Sequence, residues 1–98
     1  MDETKLRVTI TGLVQSVGFR AFVADAARRH GVSGWVRNRR DRTVEALLVG
    51  PSDQVGEVIV ACRRGPPGSA VEAVETYAAD EAALGQPAGG GFAILPTA

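Results

Sequence analysis

Apolar and polar residues alternate strictly along residues 5–11, with Leu6, Val8 and Ile10 on one face and Arg7, Thr9 and Thr11 on the other. A period of two predicts a half-buried strand. The period then changes. Phe19, Phe22, Val23, Ala26 and Ala27 stand at i, i+3, i+4, i+7 and i+8, the stripe of an amphipathic helix over Phe19–His30. Arg28, Arg29 and His30 place cations in its last turn, where they suit the helix dipole, and Gly31 fits the position after the C-cap. Alternation resumes over 32–38, with Val32, Gly34 and Val36 opposite Ser33, Trp35 and Arg37. It continues over Thr43–Val49, with Val44, Ala46 and Leu48 opposite Thr43, Glu45 and Leu47. The short turn Arg39–Arg42 makes these two strands an antiparallel hairpin. Gly50-Pro51-Ser52-Asp53 reads as a helix start. Val55, Val58, Ile59 and Cys62 carry a second helical stripe, which Gly56 weakens by about 1 kcal/mol against alanine. Gly65-Pro-Pro-Gly68 ends it. A fourth strand is expected over Ala70–Tyr77, where blurred alternation suggests a bulge or cover on both faces. Residues 86–91 read as loop and Phe92–Leu95 as a short last strand.

The order β-α-β-β-α-β, with a short fifth strand, is the split βαβ pattern of a ferredoxin-like α+β sandwich. One domain spans 1–98. Right-handed crossovers place both helices on one face of an antiparallel sheet, which leaves the other face to water.

Composition narrows the classes. Ninety-eight residues, 45% of them apolar, bury roughly 65% of their unfolded surface, which excludes a disordered chain. Eleven basic and eleven acidic residues balance to zero, against a duplex nucleic-acid partner. No apolar run approaches the roughly 20 residues of a membrane span. The start, Met1-Asp-Glu-Thr-Lys5, does not read as a signal peptide. Cys62 is the only cysteine, so neither an internal disulfide nor a thiolate metal cluster is available. A cytoplasmic location is expected. The Ala- and Gly-rich stretch 78–91 is the only low-complexity segment.

The candidate chemistry lies in the loop that joins the first strand to the first helix, Gly12-Leu-Val-Gln-Ser-Val-Gly-Phe-Arg20. Backbone N–H groups at a helix N-terminus lack helical partners, and the dipole favours an anion there. Arg20 is a cation in that first turn, against the dipole. A phosphoryl group would satisfy both. The spacing is neither the nucleotide P-loop nor Gly-x-Gly-x-x-Gly, and no acidic cluster offers itself for Mg²⁺. A small ligand held without metal fits, as does a plain connector whose glycines allow a turn. Asn38 ends the second strand, either as an ordinary turn residue or as an amide that holds a water or a substrate oxygen. His30 reads as a helix-terminal cation, Cys62 as a buried small hydrophobe and Trp35 as packing or surface cover. Ser16 has no evident base to make it a nucleophile. Arg39-Arg40 reads as a solvated turn that raises the local positive potential.

Three stretches resemble one family. Gly12–Arg20 looks like the acylphosphatase signature Gly-x-Val-Gln-Gly-Val-x-Phe-Arg. Gly34-Trp-Val-Arg-Asn-Arg-Arg-Asp-Arg-Thr-Val-Glu45 looks like its second motif, Gly-x-Val-x-Asn-x-x-Asp-Gly-x-Val-Glu. Cys62-Arg-Arg-Gly-Pro-Pro-Gly68, with Val71, Val74 and Glu75, is similar to a third. The resemblance covers nearly the whole chain. It implies the same ferredoxin-like fold and hydrolysis of the carboxyl–phosphate bond of acyl phosphates by direct water attack. It also implies a phosphate held by Arg20 and the backbone N–H groups of Gln15, Ser16, Val17, Gly18, Phe19 and Arg20. The catalytic asparagine that orients the water falls on Asn38. The implied substrate is a small-molecule acyl phosphate. No cofactor, metal, nucleic acid or membrane is expected, and a monomer is. The stop at Ala98 points to a stand-alone protein rather than a domain of a larger enzyme. Two positions depart from the pattern: Ser16 and Arg42 stand where the family usually has glycine. Each costs roughly 1–2 kcal/mol if its φ is positive and little if it is negative. An anion-binding module without turnover remains open on the same fold. An RNA-binding sheet would need exposed aromatics on the central strands, where this chain carries Arg7, Thr9, Thr11, Thr43 and Glu45.

Overall fold

The computed structural model describes residues 3–79 and 91–98. In chain order these form β1 (Glu3–Leu13), α1 (Phe19–Arg29), β2 (Ser33–Asn38), β3 (Val44–Pro51), α2 (Ser52–Arg64), β4 (Ala70–Ala78) and β5 (Phe92–Ile94). The sheet runs β4-β1-β3-β2-β5, the ferredoxin-like order with one added edge strand. β1 through β4 pair antiparallel. β5 pairs parallel to β2, Gly34 opposite Phe92, so the sheet is mixed rather than wholly antiparallel. The cause is geometric: β5 lies on the far edge and runs opposite to β4, and β2 also runs opposite to β4. The expected loop over 86–91 lies, but for Gly91, outside the described residues, as does 80–90 of the low-complexity stretch.

The strand residues assigned to the helix side form the core. Val8, Ile10, Val36, Val44, Ala46 and Leu48 are fully buried, beneath Val23 and Ala27 of α1 and Val55, Val58 and Cys62 of α2. Burial pushes the Cys62 thiol up to about 12, so it stays protonated and packs as a small hydrophobe. The end of α1 is a Schellman motif. The Val32 N–H donates to the Ala27 carbonyl at 2.8 Å and the Gly31 N–H to that of Arg28 at 3.3 Å. Gly31 sits at φ 66°, a conformation glycine adopts without strain.

The opposite face does not simply meet water. Trp35, Leu47 and Val49 are buried there, with Ala79, Ala93 and Leu95 packed against them. Glu45, expected to be solvated, is 7% exposed. Its carboxylate is ringed by Arg37 at 2.8 Å, Arg7 at 3.4 Å and Arg39 at 3.5 Å. A carboxylate so removed from water needs such partners. Arg37 in turn covers the Trp35 ring at 4.7 Å. β4 is largely exposed, which rules out cover on both faces. Its blurred alternation comes from a bulge: Thr11 pairs with Ala73 but Gly12 with Val71, which leaves Glu72 unopposed.

Candidate active site

The loop between β1 and α1 is anchored at both ends. Val14 is 1% and Phe19 2% exposed, and burying a ring such as Phe19 contributes about 2–3 kcal/mol. Phe22 meets Phe19 edge-on, with ring centroids 6.0 Å apart. Between the anchors Ser16 and Gly18 are exposed. Gly12 opens the loop at φ 127°, where a Cβ would run into the carbonyl of Ala70. Gly18 is the N-cap of α1, left-handed at φ 77° and ψ 23°, and no side chain caps the helix. The first turn holds no acidic residue. Its free N–H groups and positive dipole end are therefore open to an external anion.

Arg20 rises from that first turn and is half-buried. Its Nη1 donates to the Leu95 carbonyl at 3.1 Å, and among the described residues no carboxylate pairs with it. Residues beyond β5 continue beside β2. The Leu95 N–H donates to Val36 at 2.9 Å, the Ala98 N–H to the Asn38 carbonyl at 2.9 Å, and the Arg40 N–H to Ala98 at 3.1 Å. This tail buttresses both Arg20 and the backbone of Asn38. The two side chains line one cleft of about 310 Å³, together with Ser16, Gly18, Phe19 and Ile94. The cleft thus combines a guanidinium with spare donors, an uncapped helix start and a neutral amide.

Not every residue of the loop contributes in the same way. Val17 packs its side chain against the core, which leaves only its backbone for a ligand. Gln15 has a role that sequence reasoning missed. Its Nε2 donates to the carbonyls of Arg39 at 2.8 Å and Thr43 at 2.9 Å. The amide thereby clamps the loop to the hairpin that carries Asn38. The Leu95 carbonyl and Ile94 were also missed, because no local pattern tells which edge a short final strand joins. The doublet Arg39-Arg40 is divided: Arg39 reaches Glu45, whereas Arg40 remains exposed. His30 bonds Gln54 at 2.9 Å. His30 and Cys62 do not line this cleft. Among the described residues no group of three His, Cys, Asp or Glu side chains comes together to hold a metal ion.

The condition attached to the two departures is met. Ser16 has φ 63° and Arg42 φ 75°, so each carries roughly 1–2 kcal/mol of backbone strain. Asp41 steadies the turn around Arg42. Its Oδ1 accepts from the Thr43 N–H at 3.0 Å and the Thr43 hydroxyl at 2.7 Å. These hydrogen bonds hold the Asp41 carboxyl below its ordinary value of 3.8.

A family model described as Acylphosphatase matches residues 6–94. An acylphosphatase from Bradyrhizobium diazoefficiens is 48% identical over 99% of both chains. The crystal structure of acylphosphatase from Bacillus subtilis superposes with a TM-score of 0.81 at 33% identity, covering 93% of this chain and 97% of that one. The structure of an acylphosphatase from Coxiella burnetii gives a TM-score of 0.84 at 29% identity, over 96% and 94% of the two chains.

Proposed function

This chain belongs to the acylphosphatase family, enzymes that hydrolyse acyl phosphates to a carboxylate and inorganic phosphate, and on that premise we propose that Arg20 and Asn38 carry the reaction. The observation that supports the assignment is their convergence. The first turn of α1 and the end of β2 present both side chains to one cleft, which Ser16, Gly18 and Phe19 also line.

In this reading the phosphoryl oxygens take the N–H groups of residues 15–20 and the free donors of Arg20. Their charge is neutralised by the guanidinium and the helix end. The Asn38 amide holds a water in line with the bond to be broken. The water oxygen bonds to phosphorus as the bond between phosphorus and the acyl oxygen breaks, and the carboxylate leaves with the electron pair. The proton of the water passes to a phosphoryl oxygen, which yields inorganic phosphate. A carboxylate leaves readily, so no strong base is needed. Position and charge stabilisation carry the rate. Neither metal nor cofactor enters the scheme. The enzyme acts as a cytoplasmic monomer in this reading. No helix among the described residues is long and apolar enough to cross a membrane.

Benzoyl phosphate in the presence of EDTA tests the proposal. Anhydride loss should survive chelation and fall about 10²-fold in Asn38→Ala. Turnover abolished by EDTA, or unchanged in the variant, would overturn it.

A further inference from the structure

Two non-glycine residues hold positive φ among the described residues, Ser16 at 63° and Arg42 at 75°, and both line one further cleft. It measures about 380 Å³ and is bounded by Gly12, Leu13, Val14, Gln15, Ser16 and Arg42. Val14 and Ser16 belong to this cleft and to the one that holds Arg20 and Asn38. The two clefts therefore adjoin at these two loop residues.

We propose that the second cleft receives the acyl group, and that Arg42 selects acyl groups bearing a second anionic group, a carboxylate or a phosphate, away from the anhydride. The inference rests on the loop being the phosphoryl cradle. If Arg20 and the loop N–H groups take the phosphoryl oxygens, a cation beyond Ser16 is left to act on the other end of the substrate. The chemistry of the cleft fits that end. Leu13, 60% exposed, offers apolar surface to a short carbon skeleton. The Arg42 side chain is exposed and has no carboxylate partner among the described residues. The neighbouring carboxylate, Asp41, is engaged by the N–H and hydroxyl of Thr43. A left-handed backbone suits glycine, and strained residues concentrate where a site uses them. Here the strained residue brings an uncompensated cation to the wall of a cleft.

The test compares benzoyl phosphate with two analogues that carry a carboxylate or a phosphate at the para position. The ratio of kcat/KM for the charged over the neutral substrate is read in the parent, Arg42→Gln, Arg42→Gly and Arg42→Lys. The ratio should fall about fivefold in Arg42→Gln, through KM, and be partly kept in Arg42→Lys. In the parent it should also fall between about 0.05 and 0.5 M salt, and in Arg42→Gln it should not. Arg42→Gly suits the positive φ, so it must reproduce the Arg42→Gln result if folding is not the cause. The analogue that responds identifies the second anion. Ratios that stay level for both analogues in the glutamine and glycine variants overturn the inference while leaving the catalytic reading intact. A parent that hydrolyses none of the three substrates overturns the catalytic reading and this inference with it.

Discussion

The two helices end alike and begin differently. Arg28 and Arg29 close α1 as Arg63 and Arg64 close α2, each placing cations at the negative end of a dipole. A glycine with positive φ follows each, Gly31 and Gly65. At the other end neither helix has a side-chain cap, but α2, after Pro51, carries in Asp53 a negative charge within its first turn. α1 has no acid there, a left-handed glycine as its N-cap, and an arginine pointing its charge the wrong way for the helix. Three of the four helix ends carry the charges that stabilise them. The fourth carries no such charge, and it opens onto a cleft. The absence of a stabilising residue at an otherwise regular position is thus informative, because the missing charge has the sign of the ligand.

Removing the wrong-way charge should have the largest effect. Arg20→Ala is expected to lower kcat/KM for benzoyl phosphate about 10³-fold. Its denaturation midpoint should barely move, because the lost hydrogen bond to Leu95 and the relief at the helix end, each about 1 kcal/mol, offset one another. A large loss of stability with modest loss of rate would mean that Arg20 is structural. Giving α1 the acid that α2 has should have an intermediate effect. Ala21 is exposed on the cleft. Ala21→Asp should stabilise the fold by about 0.5 kcal/mol and weaken competitive inhibition by inorganic phosphate about tenfold, with the weakening reduced by salt. The smallest effect belongs to α2. Asp53→Asn should cost about 0.5 kcal/mol in urea denaturation, less at high salt, with no change in turnover. A change in turnover there would erase the contrast between the two helix starts.

The order of elements was legible because each period is local. Alternation in 5–11 and the stripe from Phe19 to Ala27 need no knowledge of the rest of the chain. The outer sheet face was not legible. Leu47 and Trp35 occupy outward positions, but their burial depends on β5 and Leu95, which reach β2 from the far edge of the sheet. Glu45 alternates like a solvated residue. Only the pairing of three strands reveals that Arg7, Arg37 and Arg39 converge on it. At the site, Arg20 stood out through helix electrostatics, whereas the role proposed for Asn38 rests on resemblance, since an asparagine at a strand end carries no distinguishing local signal. The side chain of Gln15 was hidden for a related reason. Its partners are backbone carbonyls, and carbonyls leave no trace in a pattern of residue types. For Ser16 and Arg42 the sequence posed a conditional question about φ, and the backbone answers it in the strained sense at both.

The buried thiol of Cys62 has a practical consequence. With its pKa raised to about 12 and the sulfur enclosed between α2 and the sheet, it offers almost no thiolate to oxidants or alkylating reagents while the chain is folded. It becomes reactive when α2 lifts from the sheet, which is the opening of the core itself. The single cysteine is therefore a native reporter: its modification rate counts openings of the core beneath α2, with no label added and with the loop between β1 and α1 untouched.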